Sequence, residues 1–180
     1  MKKTLFSVLC LLSLLLCACG SAGTETATTG ASSTEETTSQ APAAPFSMYD
    51  LNKAMCAADP ELPAMSYISS NEESASDLFE YFSKLPYEKV DAYFLSYATD
   101  GMAYEIGVIA LKDAADADAC RTSLEEHLEG RVNLYKTYAP DQVDAAKAAD
   151  IVENGRYIAL IMCKDQKAVA EAFSAFLKEN

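Results

Sequence analysis

The sequence predicts a single α+β domain over residues 46–180, a mainly antiparallel sheet of about four strands packed with about five helices on one face. Two hairpin patterns supply the strands, with turns at Asp100-Gly101 and Asn154-Gly155, and Asn-Gly and Asp-Gly pairs are strongly favoured in tight hairpin turns. Segments with apolar residues every three or four positions precede, separate and follow these hairpins. The alternation of strand-like segments with helix-like segments therefore predicts two hairpins packed against helices.

The N-terminal segment is predicted to serve export and attachment. Lys2 and Lys3 precede an apolar run from Leu5 to Leu16, which is shorter than the roughly 20 residues of a transmembrane helix and is typical of a secretory signal. Leu16-Cys17-Ala18-Cys19 resembles the lipobox of bacterial lipoproteins, in which the chain is cut before the last cysteine and that thiol receives a diacylglyceryl group. The resemblance implies a signal peptide over 1–18, lipidation of Cys19 and the membrane as a partner. An ordinary cleaved signal is the alternative.

Residues 19–45 are predicted to form a flexible tether behind the lipidated cysteine. The segment consists mainly of Ser, Thr, Ala, Gly, Glu and Pro, and no large apolar residue occurs between Gly20 and Phe46. Without apolar side chains to bury, nothing offsets the entropy lost on ordering.

The first half of the domain is predicted to contain two helices joined by an ordered loop. Ser47 is placed to cap a helix that runs to about Ala58. Residues 61–71 are predicted to be an ordered loop, because Pro60 and Pro63 fall at its start and it contains apolar residues. A second, short helix stops before Pro86 and buries apolar residues at helical spacing: Leu78, Phe79, Phe82 and Leu85.

The second half is predicted to contain both hairpins and three more helices. Asp113 caps a long helix that Pro140 ends, and Gly130 within it predicts a kink or a break. Asp165 caps the last helix, whose inward face is apolar. The remaining elements are the first hairpin over 90–112, a short helix over 140–148 and the second hairpin over 150–163.

Charge and cysteine usage exclude several function classes. The net charge of -13 argues against nucleic acid and against direct adhesion to anionic lipid, since both need clustered Lys and Arg. The domain's cysteines, Cys56, Cys120 and Cys163, are odd in number and widely spaced, which predicts buried free thiols; one oxidised pair is the alternative. No cofactor is predicted, because the sequence has no Gly-rich phosphate loop or dinucleotide fingerprint.

No metal site and no catalytic residue is predicted. Asp113, Asp116 and Asp118 are grouped as in a calcium loop, but the spacing lacks the loop glycine and the distal glutamate, so the group is interpreted as the start of a helix. His127 is the only histidine, and we interpret it as a partly exposed helix residue, since no nucleophile motif accompanies it.

Two groups of residues are candidate binding residues. Tyr138, Asp141 and Gln142 fall in a turn between two helices; the alternative is that Asp141 and Gln142 only satisfy backbone N–H groups there. Tyr93, Tyr97 and Tyr104 alternate on the first hairpin and form an aromatic platform for sugar or peptide if one sheet face is open. The alternative is that these tyrosines pack beneath helices.

The chain contains two longer runs, Tyr135 to Gln142 and Asn154 to Ile161, that carry a family resemblance. They resemble the domain of unknown function 4358, a family of lipoproteins from mostly anaerobic Gram-positive bacteria. Three shorter matches fall in the family's order: Leu62-Pro63-Ala64-Met65, Ser96-Tyr97-Ala98 and Glu105-Ile106-Gly107-Val108. The resemblance covers about residues 48–177. It implies a cellular location rather than a mechanism, because no activity and no catalytic residues are established for the family.

These observations predict a lipid-anchored protein on the outer face of the cell membrane. Its domain is expected to be a non-enzymatic module that binds an envelope protein, peptide or glycan. The alternatives are a cell-envelope hydrolase acting through surface carboxylates and a small-ligand-binding lipoprotein.

Overall fold

A five-stranded antiparallel sheet forms the centre of the domain in the computed structural model, which describes residues 46–180. Its strands are β1 (Met65–Ser69), β2 (Val90–Ala98), β3 (Glu105–Leu111), β4 (Asp150–Asn154) and β5 (Tyr157–Met162). Their order across the sheet is β1-β2-β3-β5-β4, so β3 is central, and every residue of β3 is buried. The predicted α+β class is confirmed.

Helices cover both faces of this sheet. They are α1 (Met48–Ala57), α2 (Ala75–Phe79), α3 (Ala117–Tyr138), α4 (Val143–Lys147) and α5 (Gln166–Glu179). α2 and α3 pack on one face, while α1 and α5 pack on the other. The expectation of helices on one face is wrong because β3 is apolar on both sides: Ile109 and Leu111 face α3, whereas Ile106 and Val108 face α1 and α5.

β1 is the strand that the sequence pattern did not reveal. It lies within the segment 61–71, for which a loop was predicted, and pairs with β2 from Met65↔Ala98 to Ser69↔Phe94. Four of its five residues are only partly buried, as befits a short strand at the edge of a sheet. A strand of five residues carries little periodicity of its own, and its pairing with the longer β2 determines its conformation.

The predicted caps at Ser47 and Asp165 and the two predicted turn glycines are confirmed. The Ser47 hydroxyl accepts a hydrogen bond from the Tyr49 N–H at 3.2 Å, and the Asp165 carboxylate accepts one from the Ala168 N–H at 3.0 Å. Gly101 and Gly155 have φ angles of 83° and 60°, the left-handed conformation that hairpin turns require of glycine. α3 continues through Gly130, so this glycine does not break the helix.

Asp59 joins the end of α1 to the start of α5. Its carboxylate accepts hydrogen bonds from the backbone N–H groups of Glu61, Lys164 and Asp165, at 3.0, 3.0 and 3.1 Å. Burial by itself would raise the pKa of this carboxyl, but the backbone donors stabilise the ionised form and hold the pKa below its usual 3.8. The side chains of Glu61 and Lys164 add an exposed ion pair beside it.

All three cysteines of the described segment are free thiols. Cys120 and Cys163 are buried, and Cys56 is partly exposed. Burial is the main cause that raises the pKa of both Cys120 and Cys163 to about 12, so these thiols are protonated at neutral pH.

No helix within residues 46–180 has the length and apolar character needed to cross a membrane.

Candidate binding site

An open groove lies between α2 and α3, at the end of the sheet where β1, β2 and the start of β3 meet. We call it the α2–α3 groove, and its volume is about 420 Å³. Strands β1 to β3, helix α3, and α2 with the turn that follows it supply its eight lining residues: Ile68, Leu78, Tyr81, Leu95, Tyr97, Glu105, His127 and Arg131. The groove has the size of a site for a small ligand or a few residues of peptide.

The walls of the groove are apolar and partly aromatic. Ile68 and Leu95 face each other across β1 and β2, so their side chains lie on the same face of the sheet as α2 and α3. Tyr81, just after α2, is 77% exposed, and Tyr97 near the end of β2 is 37% exposed. Aromatic rings that remain accessible beside an aliphatic floor are typical of ligand sites.

A buried ion cluster lies at the inner end of the groove. The Glu105 carboxylate is nearly inaccessible; one oxygen lies 2.7 Å from Nε2 of His127 and the other lies 2.6 Å from Nε of Arg131. The His127 pair is hydrogen bonded, whereas the Arg131 Nε–H is not aimed along its contact, which is therefore an ion pair. His127 and Arg131 stand one turn apart on α3, so both reach a carboxylate at the start of β3.

The cluster continues along α3 to the turn between β2 and β3. Arg131 donates a hydrogen bond of 2.6 Å to the hydroxyl of Tyr135, and its guanidinium lies 4.9 Å from the centre of that ring. The Tyr135 hydroxyl donates in turn to the carbonyl of Met102 at 3.1 Å. Burial raises the pKa of Tyr135, so the phenol remains a donor at neutral pH. This chain of contacts ties Arg131 to a rigid position.

The turn that follows α2 is held against α3 by serine hydroxyls and by Phe82. The Ser83 and Ser123 hydroxyls lie 2.9 Å apart, and the Ser123 hydroxyl also accepts the N–H of Lys84 at 2.6 Å. The ring of Phe82 lies edge-on to His127, with ring centres 5.8 Å apart. Phe82 also packs directly on Gly107 of β3, where a side chain would occupy the space of the ring. The groove is therefore built on fixed walls.

A second cavity lies on the opposite face of β1, beneath α1. We call it the α1–β1 cavity; it measures about 430 Å³ and includes Tyr49, Asn52, Cys56, Met65 and Tyr67. Its polar groups are linked, since the Asn52 side-chain oxygen accepts hydrogen bonds from the Ser96 hydroxyl at 2.7 Å and the Cys56 thiol at 3.3 Å. The buried hydroxyl of Tyr67 has no hydrogen-bond partner among the described residues.

The predicted group at the helix turn is only partly accessible. Tyr138 is 79% exposed and Asp141 is exposed, but Gln142 is buried. The Gln142 side-chain oxygen accepts the N–H of Ala103 at 3.1 Å, and its amide donates to Asp141 at 2.8 Å. Gln142 therefore holds the β2–β3 turn against the helices, and none of the three lines the α2–α3 groove.

The three hairpin tyrosines do not form a shared open platform. Tyr93 is fully buried, and its hydroxyl donates to the carbonyl of Ala75 at 2.7 Å. Tyr104 is packed on the other face of the sheet, with the residues that contact α1 and α5. Tyr97 alone is brought to the groove. The predicted platform is wrong because α2 and α3 cover the face on which Tyr93 lies.

Asp113 caps the short 3-10 turn Ala114–Asp116 that precedes α3, whereas the sequence predicts that it caps α3 itself, and Asp116 makes no side-chain capping bond to α3. The Asp113 carboxylate accepts the N–H of Ala115 at 2.9 Å, and Asp116 pairs with Lys89 at 2.7 Å. Within residues 46–180 there is no group of three or more His, Cys, Asp or Glu side chains arranged to hold a metal ion. Cys19, the predicted lipidation site, lies outside the described residues.

The sequence analysis does not predict the ion cluster because Glu105 lies on a different element from His127 and Arg131, more than twenty residues before them. A signal for it exists, since Glu105 shares a strand face with the apolar Ile109 and Leu111, and a charged residue on an inward face requires a partner. His127 and Arg131 are spaced to lie on one face of a helix. Only the crossing of α3 over the start of β3 brings the three together.

Fold and site together define an α+β domain with helices on both faces of an antiparallel sheet and a groove at one end of that sheet. The particular family is the domain of unknown function DUF4358, whose model matches residues 65–163. The match covers more than half of the chain, so the chain belongs to this family. No curated protein and no solved structure matches the chain. The matched segment contains every residue of the α2–α3 groove but excludes α1 and α5.

Proposed function

We propose that this protein is a lipid-anchored lipoprotein on the outer face of the cell membrane, and that its domain is a non-enzymatic binding module. The single observation that carries the binding role is the α2–α3 groove, in which an apolar, tyrosine-bordered floor ends at the buried cluster of Glu105, His127 and Arg131. Concave apolar surfaces with a few convergent polar groups are the usual sites of ligand binding.

The ion cluster supports a site better than it supports stability. Removing charges from water is costly, and a buried ion pair often adds little to stability compared with apolar residues of similar volume. The cluster also borders the open groove, since Glu105, His127 and Arg131 all line it. A ligand with a polar group at this end of the groove would lie beside these three polar side chains.

The geometry argues against Glu105 as a general base for hydrolysis. A carboxylate can act as a general base only if one of its oxygens is free to take a proton from water or substrate. Both oxygens of Glu105 are already engaged, one by His127 and the other by Arg131. Hydrolysis at this position would first require breaking a buried ion pair, whereas binding leaves the cluster intact.

Attachment to the membrane is tested by phase separation of the full chain. In a Gram-positive host, the wild-type protein is expected in the detergent phase because of the lipid on Cys19, and Cys19→Ala is expected in the aqueous phase. Cys17→Ala is the matched control and is expected to behave as wild type. Equal partitioning of wild type and Cys19→Ala would show that the chain is not lipidated at this residue.

The groove is tested by a matched pair of tyrosine variants. Tyr81 borders the groove, whereas Tyr138 is equally exposed but lies outside it. Crosslinking in envelope preparations is expected to capture a partner with wild type and Tyr138→Ala, and several-fold less of it with Tyr81→Ala. Capture that does not differ between the two variants, or no capture at all, would remove the groove as the binding site.

A further inference from the structure

Among residues 46–180, the outer edge of β1 pairs with no strand. β1 is the first strand of the described sheet, and β2 is its one partner there. The Ser70 N–H bonds to the Tyr93 carbonyl and the Thr99 N–H bonds to the Ala64 carbonyl, which fixes the alternation of the ladder. The backbone groups of Ser66 and Ile68 therefore point to β2, and those of Met65 and Tyr67 point outwards. An unpaired row of this kind is a template for another strand.

The two cavities of the site lie on opposite faces of this same edge. Ile68 and the α2–α3 groove lie on one face, while Met65, Tyr67 and the α1–β1 cavity lie on the other. The cavities are nearly equal in volume, at about 420 and 430 Å³. Side chains of an extended chain alternate between the two faces of a sheet. A strand added beside β1 would therefore direct successive side chains into the two cavities in turn.

We propose that the partner is an extended polypeptide segment that adds to the outer edge of β1 as a sixth strand. The inference rests on the proposed function, because it takes the α2–α3 groove as one half of the site. Backbone hydrogen bonds to Met65 and Tyr67 hold the segment, and alternate side chains set its specificity. A large apolar side chain enters the groove over Ile68, Leu78 and Tyr81. A polar side chain enters the α1–β1 cavity, where the Tyr67 hydroxyl lacks a partner within the described residues.

Charge complementarity favours a basic segment. The net charge of the chain is -13. Four acidic residues follow β1 closely, are exposed and form no ion pair with another described residue: Glu72, Glu73, Asp77 and Glu80. Glu72 lies directly at the end of β1, because its N–H bonds to the Ser69 carbonyl. Lys or Arg flanking the added strand would meet these carboxylates and speed association.

The test is a selection from a displayed library of short random peptides on the full-length protein in detergent. We expect enriched peptides with alternating apolar and polar residues and basic flanks. Met65→Pro removes an outward N–H, which an edge strand tolerates, and is expected to weaken an enriched peptide about tenfold or more. Met65→Ala keeps the N–H but removes the side chain that lines the α1–β1 cavity, so it measures the side-chain contribution alone. Met65→Pro is expected to bind about tenfold more weakly than Met65→Ala, and equal binding of the two variants would contradict strand addition.

Because an added strand forms hydrogen bonds through alternate residues only, a second measurement can be made on the peptide without a variant of the protein. An enriched peptide is synthesised in two forms, N-methylated on its odd or on its even residues. Only one form is expected to lose binding, because an added strand bonds to β1 through alternate residues. This result decides the question if Met65→Pro does not fold.

The outcomes separate this inference from the proposed function. Strand addition would be overturned if the enriched peptides still bind the Met65→Pro protein and still bind wild type in both methylated forms. If the same peptides lose binding to the Tyr81→Ala protein, the groove remains the site. A selection that enriches no peptide would also overturn it, while the crosslinking comparison of Tyr81→Ala and Tyr138→Ala would still judge the groove. Loss with Met65→Pro and with one methylated form would support strand addition.

Discussion

The contact between Gly107 and Phe82 gives a sharp prediction about how the wall of the groove is built. A methyl group placed on Gly107 would lie 2.5 Å from Cζ of Phe82 and 3.1 Å from both adjacent ring carbons. Carbon atoms pack at about 3.5–4.0 Å, so the ring would have to move by about 1 Å or more. Phe82 is fully buried and its ring lies edge-on to those of Phe79 and His127, so a shift of this size disturbs its packing against both rings.

Gly107→Ala is therefore expected to destabilise the domain. Overpacking of a tight core costs about 1–3 kcal/mol, and the smaller entropy loss of alanine returns about 0.5–1 kcal/mol. The expected net loss of about 1–2 kcal/mol lowers the Tm by roughly 4–8 °C for a domain of this size. Urea unfolding followed by circular dichroism measures the free energy, and a calorimetric scan measures the Tm.

Gly130→Ala is the matched control. Nothing lies within 4 Å of a Cβ at this position, and the residue is in the interior of α3. Alanine is expected to stabilise this helix by about 0.5–1 kcal/mol, so the two glycine variants should shift in opposite directions. Combining Gly107→Ala with Phe82→Leu should recover about 1 kcal/mol relative to the sum of the single changes. The reasoning is refuted if Gly107→Ala is as stable as Gly130→Ala, or if the double variant is additive.

Three further predictions concern charged and thiol groups. Glu105→Gln leaves Arg131 without its buried carboxylate and is expected to lower the free energy of urea unfolding by about 2–3 kcal/mol. The control, Glu61→Gln in the exposed pair with Lys164, should give no measurable change. Equal effects of the two variants would contradict the burial of the cluster. Because folding lowers the pKa of Asp59, its contribution to stability is complete above pH 3.8 and is lost as the pH falls through the lower pKa of the folded state. Asp59→Asn should therefore cost about 1–3 kcal/mol of unfolding free energy at pH 7, and this difference should shrink at acidic pH. A difference that stays constant with pH would refute the role given to the Asp59 carboxylate. In native protein a thiol reagent should modify Cys56 well before Cys120 and Cys163, whose burial raises their pKa to about 12, and equal rates in urea-free buffer would contradict this order.

Local signals predicted most of the fold. Ser47, Asp165 and the two turn glycines act through contacts within a few residues, so their roles can be inferred from the sequence. β1 and the second helical layer could not be inferred in this way. The first depends on pairing with β2 some thirty residues later, and the second depends on where α1 and α5 pack on the finished sheet.

The site was less predictable than the fold for the same reason. The candidate tyrosines were chosen because they alternate along one hairpin, but alternation does not show whether a helix covers that face. Tyr93 is buried under α2, whereas Tyr97, four residues later, lies beyond this cover and reaches the groove. His127 carried no motif that marked it, and its significance comes from Glu105, which lies on a different element.

The pairing of the first helix with the last has a consequence for the time at which the chain can fold. α5 supplies Val169 and Phe173 to a core that it shares with α1, so that face of the sheet stays open until α5 packs on it. Contacts between elements this distant in sequence form late and slowly. We expect the domain to remain incompletely folded until α5 has been synthesised. A protein proposed to cross a membrane before it acts gains from this delay, since an unfolded chain can still be threaded through a translocation channel.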